Sequence, residues 1–157
     1  TISGTVGAAM EATSLGFPAM AVSLQTEAQY HLSHSDEIDF TTAGYFTGYF
    51  AKQLLERKLS SGVDLIKVEV PSHATPETEW QMARLSRLRY YEPFPVQRES
   101  WDVPGTISYR LDNNLENEQE DTDVYVLRKK KMVAVTPLDL DLTARVDLKE
   151  FEKHLRK

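Results

Sequence analysis

The first residues that could do chemistry are a serine, a glycine and a threonine near the start of the chain, Ser3, Gly4 and Thr5. They open a segment of helix-forming and small residues at positions 5–15. Free amides at the start of a helix attract anions, and a glycine lets a ligand approach the backbone closely. The segment is therefore a candidate phosphate-binding site. The alternative is that Ser3 or Thr5 only caps the helix and that the small residues serve packing.

Two acidic or histidine-containing clusters are weaker candidates, both for binding a metal ion. Asp139 and Asp141 alternate with leucines, which predicts a half-buried strand that carries both carboxylates on its wet face. The other cluster falls in a polar segment, 25–38, and just beyond it; we predict a loop there, without the convergent geometry that a metal needs. It consists of His31, His34, Asp36, Glu37 and Asp39. We therefore predict neither a metal ligand nor a catalytic residue within this sequence.

Aromatic and basic residues suggest further binding surfaces. Trp80, Tyr90, Tyr91 and Trp101 could stack on a nucleobase. We favour an oligomer interface instead, because these aromatic residues occur in a proline-rich region and such residues are common in interfaces. The basic run at 128–131 could attract nucleic acid, but four charges at the tip of a predicted hairpin more often protect a sheet edge.

Composition limits the class of protein. The 157 residues are 41% hydrophobic, which suits a globular protein with one sizeable core. A net charge of -6 argues against nucleic acid as the main partner. The chain has no cysteine, which excludes disulfides and thiolate metal sites, and no apolar run of membrane-spanning length. We expect a cytoplasmic protein that does not enter membranes.

Secondary-structure signals are clearest in the first half. A helix is predicted at 5–15 and ends at Gly16, where a glycine is a common terminator. A short apolar run at 19–24 predicts a buried strand. An amphipathic helix at 40–59 and a strand at 63–70 follow. This alternation indicates the α/β class with a parallel sheet.

The second half is less periodic. We predict, in order, a strand or helix at 80–91, an extended loop at 92–105, a strand at 107–111, an acidic loop at 112–123, a β-hairpin of 124–127 and 132–136 with the basic run at its tip, and a terminal helix at 147–157 capped by Asp147. Residues 1–75 are thus expected to be the carboxy-terminal part of an α/β core. Residues 76–157 are expected to form a β-rich extension, hairpin and terminal helix used for oligomerisation.

Residues 3–24, SGTVGAAMEATSLGFPAMAVSL, resemble, almost position for position, the segment that follows the metal site in the SurE survival-protein family. Residues 135–144, VTPLDLDLTA, are similar to a stretch near the family's carboxy terminus. Residues 66–71, IKVEVP, resemble the strand and proline after the family's long helix, and the pair Thr122-Asp123 also matches. Order and spacing agree across nearly the whole chain.

The resemblance implies a Rossmann-like fold with a β-hairpin extension and a carboxy-terminal arm, through which family members form dimers or tetramers. It implies a phosphatase that hydrolyses nucleoside 5'-monophosphates to nucleoside and phosphate with a divalent cation, Mg²⁺ or Mn²⁺. It places Ser3, Gly4 and Thr5 beside the bound phosphate. The alternative is a non-catalytic oligomerisation or binding module.

The sequence departs from the family pattern at the metal site. The family's ligands are two adjacent aspartates, a serine and an asparagine, all upstream of the segment that matches Ser3, Gly4 and Thr5. No residue here corresponds to them, so we expect the metal ligands and the amino-terminal strands of the sheet to be missing from this sequence. The chain alone is then expected to be inactive. It is also expected to be poorly stable, because a parallel sheet without its central strands exposes edges and apolar faces.

Overall fold

The computed structural model describes residues 3–31, 35–56, 59–88, 91–94, 98–105, 108–111 and 115–156. The elements are, in chain order, α1 (Gly4–Ser14), β1 (Ala19–Leu24), a 3₁₀ turn (Ala28–Tyr30), α2 (Thr41–Glu56), β2 (Leu65–Val70), β3 (Trp80–Met82), β4 (Tyr91–Phe94), β5 (Ser108–Leu111), α3 (Asp123–Tyr125), a π-helical turn (Val126–Lys130), β6 (Val133–Leu138) and α4 (Leu148–Leu155). Among these residues no helix is both long enough and apolar enough to cross a membrane.

Four strands form the main sheet in the order β1-β2-β6-β3. β1 and β2 are parallel, β6 is antiparallel to β2, and β3 is parallel to β6. The register places Lys67 of β2 between Ala21 of β1 and Thr136 of β6. β4 and β5 form a separate antiparallel pair.

One face of the main sheet is apolar and packs under α2. Phe46 and Phe50 of α2 lie in one buried cluster with Val68, Val70 and Val135 of the strands. These side chains alternate along β2 with Lys67 and Glu69, which must therefore point to the opposite face. This alternation divides the sheet into one dry face and one face with charged groups.

The opposite face is covered by two separate elements. Val6 and Ala9 of α1 pack on Ala21 and Leu65, over β1 and β2. Val126 of the π-helical turn joins a second buried cluster with Ala83 and Ala134 at the far side of the sheet. Between these two apolar patches the face carries polar side chains, and this is the part of the fold that forms the candidate site.

The structure confirms the predicted elements of the first half. α1, β1, α2 and β2 lie within one to three residues of the predicted bounds at the positions described. Ser3 caps α1, and Gly16 follows the helix with a positive φ of 87°, a conformation that glycine adopts without strain. The terminal helix is also confirmed, since Asp147 accepts hydrogen bonds from the amides of Lys149 and Glu150 at 2.9 and 3.0 Å.

The predicted hairpin at 124–136 is wrong. Thr122 caps a helical turn through the amide of Tyr125, and the backbone stays helical to Lys130. Only the second predicted strand exists, as β6. The basic run therefore lies at the carboxyl end of a helical segment, where cations suit the helix dipole. The turn ends at Lys131, whose φ of 59° is left-handed.

Other predictions for the second half need correction. The predicted loop at 92–105 begins inside β4. Among the described residues of the segment 80–91, the strands are β3 and the first residue of β4, Tyr91. Pro93 is tolerated in β4 because that strand pairs only with β5 among the described residues. Position 107 and positions 112–114 of the predicted strand and acidic loop lie outside the described residues.

The strand predicted through Asp139 and Asp141 is also wrong. β6 ends at Leu138, and the amide of Leu140 is bound instead by the carboxylate of Asp64 at 2.7 Å. Asp139 and Asp141 then each accept a hydrogen bond from the amide two residues further on, at 2.8 and 2.9 Å. The two carboxylates therefore stabilise two tight turns and do not lie on one face of a strand.

The unpaired edge of β1 predicts that the isolated chain self-associates. Within the described residues β1 pairs only with β2, which leaves its other edge open beside exposed Phe17. Open, apolar strand edges favour association between chains. We expect the 157-residue chain to self-associate in size-exclusion chromatography and to show no cooperative transition in calorimetry. A monomer that melts cooperatively would contradict this expectation.

Candidate functional site

A cavity of about 430 Å³ lies on the polar face of the sheet, at the carboxyl ends of β1 and β2. Open α/β sheets bind their ligands at this edge. Ser3, at the start of α1, lines the cavity together with Ser23 of β1. Lys67 and Glu69 of β2 also line it, and Asp123 does so from α3. The cavity thus joins Ser3 of the predicted phosphate-binding segment to charged groups that are distant in sequence, while Gly4 and Thr5 do not line it.

Ser3 serves as the cap of α1, as the alternative interpretation proposed. Its side-chain oxygen accepts a hydrogen bond from the amide of Val6 at 3.3 Å, and its carbonyl accepts from Gly7 at 3.0 Å. The amides of Gly4 and Thr5 precede these and have no acceptor within the helix, as at every helix start. Capping and lining the cavity are compatible roles for Ser3 because the capped end is the end that faces the cavity.

The backbone at Gly4 is open to a ligand. A methyl group built at its Cα would meet no heavy atom within 4 Å. Thr5 is also exposed at this position of the helix. The first turn of α1 therefore has room for an anion next to its amides, although nothing in the fold itself requires one.

A buried ionic group forms the floor of the cavity. Nζ of Lys67 lies 2.7 Å from Oδ2 of Asp123 and 2.8 Å from Oε2 of Glu69. The other oxygen of Asp123 accepts hydrogen bonds from the amides of Ser86 and Val124, both at 2.8 Å. One lysine thus links β2 to α3, and one carboxylate links α3 to the segment after β3.

Burial and charge act in opposite directions on the two side chains of β2. Burial lowers the pKa of Lys67, but the neighbouring charges of Glu69 and Asp123 outweigh it, so the pKa lies above its usual value. Burial raises the pKa of Glu69, and the charge of Lys67 only partly opposes this. Oε2 of Glu69 lies at ion-pair distance from Lys67 and has no further polar partner among the described residues.

The histidine and acidic residues of the segment around 31–39 have separate environments where the structure describes them. Tyr30 donates a hydrogen bond to Glu37 at 2.9 Å, and Asp39 accepts one from the amide of Thr41 at 2.8 Å. His31 instead lines the cavity, and His34 lies outside the described residues. No three His, Asp or Glu side chains converge in the described part of the chain.

The four aromatic residues of the sequence prediction have different environments. Trp80 packs against Phe50 of α2 at 5.6 Å between ring centroids, so it belongs to the dry face. Trp101 is 87% exposed and lies under the guanidinium of Arg98. Tyr91 lines the cavity, and Tyr90 lies outside the described residues. No oligomer interface is visible in a single chain, so that prediction stays a prediction.

Sequence reasoning missed the floor of the cavity. The signal was present in the strand IKVEVP, because Lys67 and Glu69 alternate with apolar residues in a strand that is otherwise buried. Charges on the inner face of a buried strand need partners. The pair Thr122-Asp123 was noted only as part of the family resemblance, and no local pattern linked Asp123 to Lys67, which is 56 positions away.

Asp123 should contribute far more to stability than a neighbouring exposed carboxylate. Replacing Asp123→Ala leaves Lys67 with only Glu69 and removes the acceptor of two amides, so we expect a loss of about 3 kcal/mol in unfolding free energy. The matched control is Asp121→Ala, which removes an exposed ion pair with Arg84 and should change little. Urea unfolding of the full-length protein measures both. Equal effects would refute a structural role for the buried group.

The raised pKa of Glu69 predicts a pH dependence of stability. The folded state holds the proton of Glu69 to a higher pH than the unfolded state, whose pKa is near 4.5. The associated stability is therefore present below pH 4.5 and is lost as the pH rises towards the raised value. The Glu69→Gln variant lacks this loss, so its stability relative to the wild type should increase across that interval. A difference that is independent of pH in unfolding experiments would contradict the assignment.

Comparison with known proteins identifies relatives over nearly the whole chain. The chain is 40% identical over 156 residues to the 5'-nucleotidase SurE of Thermococcus kodakarensis, covering 99% of this chain and 59% of that protein. The 5'-nucleotidase SurE of Methanocella arvoryzae is 38% identical over 159 residues, with the same two coverages. The chain thus spans about three fifths of the length of these relatives.

A solved structure and a family model agree with these relatives. The crystal structure of the SurE protein from Aquifex aeolicus matches with a TM-score of 0.65 and 25% identity, covering 99% of this chain and 58% of that one. This likeness confirms the predicted Rossmann-like α/β class. The family model described as Survival protein SurE matches residues 1–92, which is more than half of the chain. The chain belongs to the SurE survival-protein family.

Proposed function

We propose that this chain provides the phosphate-binding part of a phosphatase that hydrolyses nucleoside 5'-monophosphates to nucleoside and phosphate. The relatives named 5'-nucleotidase support the class of reaction. The observation that supports the site is the position of Ser3, Gly4 and Thr5 at the start of a helix whose cap residue, Ser3, lines a cavity at the carboxyl edge of β1 and β2. Gly4 and Thr5 are exposed next to it and are not among its lining residues.

In this proposal the first turn of α1 binds the phosphate of the substrate. The amides of Gly4 and Thr5 donate to phosphate oxygens, and the hydroxyl of Thr5 adds a third donor. Ser3 fixes the helix start by holding the amide of Val6. These donors are held in place before the substrate arrives, so they stabilise the charge that develops on phosphate oxygens as the P–O bond breaks.

The proposed cofactor is Mg²⁺ or Mn²⁺, as the family resemblance implies. A divalent cation, when bound, neutralises phosphate charge and activates the attacking water. Such ions prefer carboxylate and amide oxygens. The described residues do not offer a convergent set of these ligands, so they do not fit a metal site by themselves. We assign the ligands to the family segment that lies before the match to Ser3.

Two further parts of the proposal concern location and assembly. We propose a cytoplasmic protein that acts as a dimer or tetramer. The oligomer contacts are assigned to residues 76–157, where α4 exposes Leu148, Phe151 and Leu155. The same exposed apolar face supports the alternative, a non-catalytic assembly or binding module. That alternative predicts oligomers without affinity for inorganic phosphate.

The phosphatase and the non-catalytic module predict different effects of a methyl group at Gly4 on turnover. In the full-length protein with Mg²⁺ or Mn²⁺, Gly4→Ala should lower kcat/KM for a nucleoside monophosphate by about 10²-fold, because the methyl displaces the phosphate from the helix start. The control is Gly44→Ala in α2, since a methyl group meets no heavy atom within 4 Å at either glycine. Released phosphate is measured by a colorimetric assay. Unchanged turnover in both variants would refute the phosphate role of α1.

A further inference from the structure

The four basic residues at 128–131 have different surroundings in the structure. The three lysines at 129–131 are exposed, and Nζ of Lys130 donates a hydrogen bond to Gln81 of β3 at 3.1 Å. Arg128 is instead half-buried and lines the cavity. Charges that serve only solubility lie in the solvent, as the three lysines do. The placement of Arg128 therefore needs a different explanation.

Arg128 lines the cavity from an element that lies across the sheet face from α1. α1 covers β1 and β2, whereas the π-helical turn packs through Val126 against Ala134 of β6 and Ala83 next to β3. In the sheet order β1-β2-β6-β3, these are the two halves of one face. Ser3 and Arg128 thus line the same 430 Å³ from two separate walls.

The charges of the cavity balance only if Arg128 is included. Among the described lining residues, the lysine, arginine, aspartate and glutamate side chains are Lys67, Glu69, Asp123 and Arg128. In the floor one lysine faces two carboxylates, so the ionised floor has one excess negative charge. That excess opposes the entry of a phosphate group, and the guanidinium of Arg128 offsets it.

We propose that Arg128 is the cation through which this cavity attracts the phosphate group of its substrate. This inference rests on the phosphatase function proposed above and adds a residue that determines affinity. A positive charge in a cleft raises the local concentration of an anion by about 10- to 10³-fold, and salt screens the effect. The attraction acts before the chemical step. It therefore changes KM and the affinity for inorganic phosphate, while kcat stays nearly constant.

Removing the charge at position 128 tests this in the full-length protein with Mg²⁺ or Mn²⁺. Arg128→Gln should raise KM for adenosine 5'-monophosphate and the inhibition constant of inorganic phosphate about tenfold each, with kcat changed less than about twofold. Arg128→Lys keeps the charge and should stay close to the wild type. The control is Lys129→Gln, which removes an exposed neighbouring charge that does not line the cavity.

Ionic strength separates a role of the charge from a role in folding. High salt should weaken inhibition by phosphate in the wild type and bring it close to that of Arg128→Gln, since screening removes the attraction that the variant lacks. A difference between the two proteins that is independent of salt would overturn the proposal. Equal losses in Arg128→Gln and Lys129→Gln, or an Arg128→Lys variant as weak as Arg128→Gln, would do the same. A raised KM without a matching change for inorganic phosphate would place Arg128 elsewhere and also overturn it.

The remaining outcomes separate this proposal from the phosphatase proposal. If Arg128→Gln does not fold, Arg128→Lys decides: phosphate inhibition with the wild-type dependence on salt supports the attraction, and loss of that dependence overturns it. If the wild type does not hydrolyse adenosine 5'-monophosphate, the phosphatase proposal fails. Calorimetric titration with inorganic phosphate then decides the role of Arg128. Binding that is weakened in Arg128→Gln and retained in Lys129→Gln supports it, and no binding to the wild type refutes it.

Discussion

The contact that organises this fold is the ion pair between Lys67 and Asp123. A lysine on the inner face of a buried strand cannot remain without a carboxylate partner, since an unpaired charge in that position costs several kcal/mol. The partner comes from 56 positions further along the chain. Bringing it there fixes α3 over the sheet and, through the amide of Ser86, fixes the segment after β3 as well.

The cavity follows from the same constraint. α1 covers one part of the sheet with Val6 and Ala9, and the π-helical turn covers another with Val126. Neither element covers the part of the sheet face between them, because Lys67 and Glu69 lie there. The polar floor is therefore kept open by its own charges. The capped start of α1 and the ring of Tyr91 then line the same space.

Local signals in the sequence were sufficient for the first half of the fold and insufficient for the second. α1 and β1 are defined by a cap, a glycine and an apolar run, all of which act over a few residues. The segment 124–136 contains two apolar runs rich in valine, which is the local pattern of a hairpin. Its first run is helical in the structure because Thr122 caps it and Asp123 reaches Lys67. That long-range pairing overrides local preference and has no sequence pattern.

In the candidate site, too, local signals were predictable from the sequence and long-range contacts were not. Ser3, Gly4 and Thr5 could be identified from the sequence because a helix start binds anions through its own backbone. For Tyr91 the sequence favoured an oligomer interface over stacking on a base, because the residue lies in a proline-rich region. In the structure Tyr91 lines the cavity and its ring contacts those of His31 and Tyr109. Residue spacing in the sequence could not predict which distant segments come together around the cavity.

The π-helical turn at Val126–Lys130 has a consequence for how this segment can vary in length. A π turn holds one more residue than an α turn, which is equivalent to a single inserted residue. Each residue of an α-helix advances by about 100° around the axis. Removing one residue here would restore an ordinary helix and rotate Leu127 and Arg128, which line the cavity, to another side. The shape of the cavity therefore depends on the number of residues in this turn as well as on their identity.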